Sequence, residues 1–290
     1  MNKEQTITGV IRGTGACVPE RILDNKEIAG FVDTSDEWIR ERTGVRRRRI
    51  AEKETTVSMA CEAGRQAVEE AGILPGEIDM ILVATGSPDQ IFPCTACQVQ
   101  EALGADGAVG FDLNAACSGF LFAYNTAQAY IASGIYRTVL VIGSESISRL
   151  VDWTDRGTCI LFGDGAGAVL LQAAEGKTYR PAAHSDGSGG EALTGPGVRN
   201  RIRSIDKDDR EAKTEYITMN GKDVFQFAVR KVPQVIQEVL EENDLSVEDI
   251  DWFVLHQANA RIVDAVARRL HIGIEKFPMN LQEYGNTSSA

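Results

Sequence analysis

Three residues of different chemistry stand at comparable points of the chain. Cys117 lies in DLNAACSGF (112–120), His256 in DWFVLHQANARI (251–262) and Asn286 in YGNTSSA (284–290). The small residues AACSG, followed by the helical pattern of FLFAYNTAQAYIASG, put Cys117 at a strand-to-helix turn beside a helix N-terminus. Unpaired N–H groups and the positive dipole end favour thiolate over thiol there, and a nucleophilic cysteine needs that form. The same local pattern also fits a buried, inert thiol. His256 follows an apolar strand on a loop, which suits either a catalytic group or a structural hydrogen bonder. Asn286, after Gly285, reads as a helix N-cap or as a third partner. A thiol, an imidazole and an amide at corresponding turns are less expected from packing together than singly. The other histidines read as structural: His184 as a hydrogen bonder at a strand end, His271 as a surface residue at a helix end.

Alternating elements must carry these residues. Strands are expected near 6–13, 78–85, 108–113, 138–143 and 166–172, with helices near 55–72, 94–103 and 118–133. Strand alternating with helix predicts a layered α/β fold with a largely parallel sheet. The pattern then restarts, with a strand near 179–184, a helix at 221–243, a strand at 250–255 and a helix at 260–270. Without a gap, VEEAGILPGEIDMILV (68–83) lies over LEENDLSVEDIDWFVL (240–255) at an offset of 172. Glu69, Glu70, Ile78 and Asp79 recur as Glu241, Glu242, Ile250 and Asp251. The same offset carries Asn114 onto Asn286 and Cys117 onto Ser289. A shared offset favours duplication, so two similar halves, 1–174 and 175–290, are expected to face each other. Ligands of such folds bind beyond the carboxyl ends of the strands, where Cys117, His256 and Asn286 would meet.

Bulk properties narrow the class. With 290 residues and 43% hydrophobic content, this is a globular composition rather than a disordered one. No apolar run is long enough for a membrane span and the start lacks a secretion-signal layout, so the expected location is the cytoplasm. The six cysteines are scattered irregularly and read as free thiols. A net charge of −12 argues against a nucleic-acid partner.

Several short signals carry little weight. Cys94 and Cys97 form a CxxC with no second pair, and read as two packed thiols near a helix start. The glycines of FGDGAGA (162–168) run into a strand rather than opening a helix, so they point to close backbone packing, not to a dinucleotide loop. VRRRRI (45–50) reads as a solvated face. Arg261, Arg268 and Arg269 share one helix face and form a basic patch on an acidic protein, a docking surface for an acidic partner.

Taken in order, TSDEWIRERTG (34–44), ILVAT (81–85), FPCTACQVQ (92–100), AACSGF (115–120), DRGT (155–158), LFGDGAGAVL (161–170), HQANARI (256–262) and GNTSSA (285–290) resemble the thiolase-like condensing enzymes, specifically the β-ketoacyl-[acyl-carrier-protein] synthase III family. The resemblance implies a thiolase-like fold of two duplicated βαβαβ halves in an α-β-α-β-α layering. It implies a Cys117-His256-Asn286 triad that condenses an acyl group from acyl-CoA with malonyl-[acyl-carrier-protein], losing CO2. It further implies that Trp38 and Arg156 sandwich the CoA adenine, that Thr34 and Arg42 contact the nucleotide, and that Asn259 and Gly221 contact the pantetheine arm. Phe225 would wall the tunnel, Phe92 would reach across a homodimer into the partner's acyl pocket, and the Arg261, Arg268 and Arg269 face would dock acyl carrier protein. No metal or other cofactor is implied. Related families replace the Asn, and chalcone-synthase-like enzymes lack the TSDEW and DRGT blocks.

The chain departs from the family at its end. Members continue past GNTSSA through a helix and two strands, and the first half has the same elements after Cys117 where the second half has none. The sequence is therefore expected to be truncated, its second sheet to have an unpaired edge, and one oxyanion-hole donor to be absent.

Overall fold

The computed structural model describes residues 6–197 and 216–290. The first half supplies β1 (Ile7–Cys17), β2 (Ile22–Asp24), α1 (Asn25–Ile28), α2 (Asp36–Thr43), β3 (Arg47–Arg49), α3 (Thr56–Ala71), β4 (Met80–Ala84), α4 (Thr95–Leu103), β5 (Val109–Leu113), α5 (Gly119–Ala132), β6 (Thr138–Glu145), α6 (Arg156–Cys159) and β7 (Gly165–Glu175). The second half supplies β8 (Leu193–Thr194), β9 (Thr218–Met219), α7 (Gly221–Glu242), α8 (Ala260–Leu270) and α9 (Leu281–Tyr284).

Five strands form one sheet in the order β1-β7-β6-β4-β5. Strand β4 runs parallel to β5 and β6, whereas β7 is antiparallel to both β6 and β1. The sheet is thus mixed rather than largely parallel, because the connection from β6 to β7 carries only the four-residue α6 and no long crossover helix. Strands β4 and β6 are buried along their whole length, as continuous apolar runs covered on both faces require. On one face α3 packs with Met59, Ala63 and Ala67 against Ile81, Leu140 and Ile142. On the other, Ala123, Ala127 and Ile131 of α5 meet Leu82, Val139 and Val141. Gly13 and Gly15 let α3 lie directly on β1: an added Cβ at either would come within 2.0 Å of the Ala67 or Ala63 carbonyl oxygen.

The expected strands at 179–184 and 250–255 do not form. Both segments lack a ladder, and 250–255 is fixed instead by single contacts such as Phe253 N–H to the Lys276 carbonyl at 2.9 Å. An extended segment becomes a strand only beside another one. By the offset of 172, 250–255 corresponds to 78–83 at β4, which β5 and β6 flank, and residues 281–284, set opposite 109–112 of β5, form α9 rather than a strand. The described layers are therefore α-β-α, with α7 and α8 packed together around Phe253, Val263, Val266 and Phe277.

The duplication itself is visible in local geometry. The 3-10 turns Pro75–Glu77 and Val247–Asp249 stand at the same offset, and each is closed by an acidic side chain accepting from the backbone N–H three residues earlier, at 2.8 Å in both copies. Asn114 and Asn286 likewise each accept from the N–H two residues on, at 3.2 and 2.9 Å. The residues receiving that turn, Ala116 and Ser288, have positive φ values of 46° and 56°, the left-handed conformation non-glycine residues seldom adopt.

One arginine of VRRRRI contradicts a solvated face. Arg48 is fully buried, because β3 alternates its side chains and turns this one inward to donate to the carbonyls of Leu23 and Ile160 and to Asn25 Oδ1. Burial lowers its pKa to about 10. No described helix is long and apolar enough to cross a membrane.

Candidate active site

Cys117 sits in the 3-10 turn Ala116–Ser118 that leads from β5 into α5. The helix N-terminus is where the sequence places it, yet the thiol pKa is raised, not lowered. Burial dominates and the nearby Glu145 carboxylate adds to it, while a hydrogen bond with the Ser288 side chain opposes them. Desolvation outweighs the helix end because it penalises the thiolate directly.

His256 follows the unpaired segment 250–255, and the loop after it is pinned by Gln257 Oε1, which accepts from the N–H groups of Asn280 and Leu281 at 2.8 and 2.9 Å. His256 is exposed as a residue, while the protein packed about its ring removes enough hydration to push its pKa down to about 4, with a Ser288 backbone hydrogen bond acting the other way. The imidazole is neutral at ordinary pH.

Asn286 is not a helix N-cap. It forms an isolated parallel bridge with Phe162, its N–H donating to the Leu161 carbonyl and its carbonyl accepting from Gly163 N–H, both at 2.9 Å. Gly163 and Gly143 make room for this segment. A Cβ at Gly163 would lie 2.1 Å from the Tyr284 carbonyl oxygen and one at Gly143 1.9 Å from that of Ser289. Of the glycines of FGDGAGA, Gly163 thus serves close packing, whereas a Cβ at Gly165 or Gly167 would meet only ordinary contacts, at 3.4 and 3.9 Å. Asn286 Oδ1 accepts from Ser288 N–H at 2.9 Å, which leaves its NH2 as the donating end.

Ser288 lies beside the three: its N–H holds the Asn286 amide at 2.9 Å, and its side chain and backbone favour the charged forms of Cys117 and His256 respectively. The sequence reading passed over Ser288 and also Glu145, a carboxyl with no exposed surface at the end of β6. For Ser288 the available signal was its place opposite Ala116 in the duplicated turn; for Glu145 there was none.

The residues expected to contact the nucleotide gather about Trp38. Ser35, the N-cap of α2, accepts from Trp38 N–H at 3.1 Å and so fixes the start of the helix that presents the indole. The Arg156 guanidinium stands 4.9 Å and that of Arg42 5.6 Å from its ring centre. Arg156 rests directly on the indole, so an adenine layer needs it to swing outward, away from its bond to the Asp33 carbonyl. Thr34 Oγ1 is buried without a hydrogen-bond partner among the described residues, as a ligand contact would leave it.

The remaining predicted residues are more committed. Asn259 caps α8 through Arg261 N–H at 2.9 Å and donates to the Arg42 carbonyl at 3.0 Å, so both ends of its amide are in use. Gly221 opens α7, and Phe225 packs in the α7–α8 cluster beneath Arg261, 5.5 Å from its guanidinium. Arg261, Arg268 and Arg269 are all exposed, Arg269 reaching back to the Val229 carbonyl at 3.3 Å. Phe92 is 83% exposed. Cys94 and Cys97 have sulfurs 3.4 Å apart. His184 bonds Glu238 at 2.7 Å without a strand around it, and His271 is the exposed C-cap of α8.

The family models for 3-oxoacyl-[acyl-carrier-protein] synthase III match residues 111–187, and those for its C-terminal part residues 240–290. A beta-ketoacyl-[acyl-carrier-protein] synthase III of Clostridium acetobutylicum is 48% identical over 97% of this chain and 86% of its own length. The chain belongs to the synthase III family. A second relative, from Erythrobacter litoralis, is 46% identical over 98% of this chain and 88% of its own. The crystal structure of the Aquifex aeolicus synthase III superposes with a TM-score of 0.85 at 43% identity, covering 97% of this chain and 87% of that one. A priming beta-ketosynthase of the R1128 polyketide pathway superposes at 0.92 with 36% identity, over 100% of this chain and 86% of that one. As a synthase III member the chain is a condensing acyltransferase of thiolase-like fold, and the expected family and fold hold.

Proposed function

We propose that this chain initiates fatty acid synthesis by decarboxylating Claisen condensation in the cytoplasm, with Cys117, His256 and Asn286 as its catalytic residues. Cys117 sulfur attacks the acyl carbonyl of acetyl-CoA or another short acyl-CoA, and the CoA thiolate leaves. Malonyl-[acyl-carrier-protein] then loses CO2, and the bonding pair becomes an enolate whose oxygen needs donors. Neutral His256 and the free Asn286 NH2 supply them. The enolate carbon attacks the Cys117 thioester, the thiolate is expelled, and 3-ketoacyl carrier protein departs.

The observation that carries this reading is the packing of the GNTSSA segment against the start of α5, where a Cβ added at Gly119, two residues after Cys117, would lie 3.4 Å from Ser289 Cβ, while Ser288 N–H holds Asn286 Oδ1 at 2.9 Å. The halves 1–174 and 175–290 contribute the nucleophile and the donors respectively. Trp38, Arg156, Arg42 and Thr34 hold the nucleotide, with Gly221, Asn259 and Phe225 along the pantetheine path, and the reaction requires no cofactor beyond acyl-CoA as substrate. The exposed Arg261, Arg268 and Arg269 face receives acidic carrier protein, and the exposed Phe92 enters the partner subunit of a homodimer. Radiolabelled acetyl-CoA tests the scheme. Labelling is expected to vanish in Cys117→Ala, whereas His256→Ala and Asn286→Ala keep the label and lose CO2 release from malonyl carrier protein. Labelling without CO2 release in the unaltered protein would identify an acyltransferase only, and neither would identify a non-catalytic acyl-CoA binder.

A further inference from the structure

Glu145 has no part in the scheme above, yet its carboxyl ties the two halves of the chain together at the site. It leaves the end of β6 with no exposed surface. On the first-half side Oε2 stands 2.5 Å from Ser87 Oγ, 3.1 Å from Gly86 N and 3.4 Å from Thr85 Oγ1. Ser87 is itself held, its N–H donating to Thr85 Oγ1 at 3.1 Å and its Oγ accepting from Ser146 N–H at 2.8 Å. That edge of the carboxyl is therefore fixed to the ends of β4 and β6. The other edge faces GNTSSA, with Oε1 3.0 Å from Ser288 Oγ and 2.9 Å from Ser289 Oγ.

What Glu145 grips is the residue that aims Asn286. Ser288 N–H holds Asn286 Oδ1 at 2.9 Å, and Ser288 has the left-handed φ of 56°. A non-glycine residue keeps that conformation only where its contacts hold it. The turn that carries Cys117 lies against the same carboxyl: a Cβ added at Gly86 would stand 3.8 Å from both Glu145 Oε1 and Asn114 Oδ1, the amide that opens that turn. The partners of Glu145 among the described residues are hydroxyls and one N–H, with no cation, and burial pushes its pKa up. Hydroxyls accept as well as donate, so this setting holds the neutral acid.

We propose that Glu145 is a positioning residue for the decarboxylation step, an uncharged strut between the halves that holds the Ser288 turn and through it aims the Asn286 amide. The inference rests on the condensing reaction proposed above. Cys117 is carried by the first half alone, on the turn between β5 and α5, so its acylation does not need the strut. Asn286 belongs to GNTSSA, and its NH2 serves the enolate only from the right place. A misplacement of about 1 Å in such a donor costs about a hundredfold in rate. Loss of the strut therefore acts on one half reaction and spares the other.

The two half reactions, measured apart, test this. Glu145→Leu keeps the bulk and removes the hydrogen bonds. CO2 release from saturating malonyl carrier protein, by enzyme already acylated on Cys117, should fall about a hundredfold while labelling by acetyl-CoA stays within about threefold. Glu145→Gln has the shape and neutrality of the acid, and Gly86 N–H, 3.2 Å from Oε1, keeps an acceptor there. It should recover CO2 release to within about threefold of the unaltered protein. Equal loss of both steps in Glu145→Leu, no loss of CO2 release, or a loss in Glu145→Gln as deep as in Glu145→Leu overturns the proposal. Should Glu145→Leu not fold, Ser288→Ala cuts the strut at its other end. It should lower CO2 release about tenfold, the worth of one hydrogen bond, and spare labelling; unchanged CO2 release or equal loss of both steps overturns the proposal. An unaltered protein without label or CO2 release refutes the condensing reaction and not the strut. Crystal structures of the unaltered protein and of Glu145→Leu or Ser288→Ala then decide: an Asn286 amide displaced by about 1 Å supports it, and an unmoved one overturns it.

Discussion

The depressed pKa of His256 makes a prediction with an unusual pH range. An imidazole with the ordinary value of about 6.5 is about nine-tenths protonated at pH 5.5, and an enzyme needing it neutral loses about tenfold in rate there. Loss of hydration around the ring lowers His256 to about 4, which leaves only about 3% protonated at that pH. Enzyme acylated on Cys117 at neutral pH, then jumped to lower pH and mixed with malonyl carrier protein, isolates the decarboxylation step. CO2 release is expected to stay flat from about pH 8 to about pH 5.5 and to fall with a midpoint near the lowered value. Circular dichroism at each pH separates this from acid unfolding. The sign for stability is the same: the unfolded chain binds the His256 proton below about 6.5 and the folded chain does not until about 4, so stability drains away between those values and His256 takes no more below them. A rate profile with its midpoint near 6.5 would show that the ring is solvated and would refute the argument from burial.

Other outcomes follow from single contacts. Trp38→Ala removes the face on which Arg156 and Arg42 lie, and should raise KM for acyl-CoA about tenfold while leaving turnover of malonyl carrier protein by pre-acylated enzyme unchanged. Gly143→Ala forces a Cβ toward the Ser289 carbonyl, 1.9 Å away, and so displaces the Ser288 turn; turnover should drop about a hundredfold with a smaller change in urea midpoint. Arg48→Met leaves the Leu23, Asn25 and Ile160 acceptors buried and unpaired, at a cost of about 3 kcal/mol or more measured by urea unfolding.

Much of the first half was legible because its patterns are local. The continuous apolar runs of β4 and β6 and the amphipathic spacing of α3 decide those elements before any contact is made. Cys117, His256 and Asn286 were legible as turn residues following apolar runs, and the offset of 172 anticipated the paired Asn turns at 114 and 286. What failed depends on neighbours. The segment 250–255 is apolar apart from Asp251, but a strand needs a partner and none of the described residues provides one. Arg48 looked like one of four equivalent charges until β3 turned it toward three carbonyl-type acceptors.

The sequence by itself determined which side chains could do chemistry here: a thiol, an imidazole and an amide, each carried to a turn by its own local pattern. Only the tertiary structure decided their chemical state. Burial raised Cys117 instead of letting the helix end lower it, and loss of hydration around the ring lowered His256 to about 4. Glu145 reached Ser288 and Ser289 across 143 and 144 residues of chain. Desolvation and long-range hydrogen bonding depend on what surrounds a group in space, and no spacing along the chain encodes that.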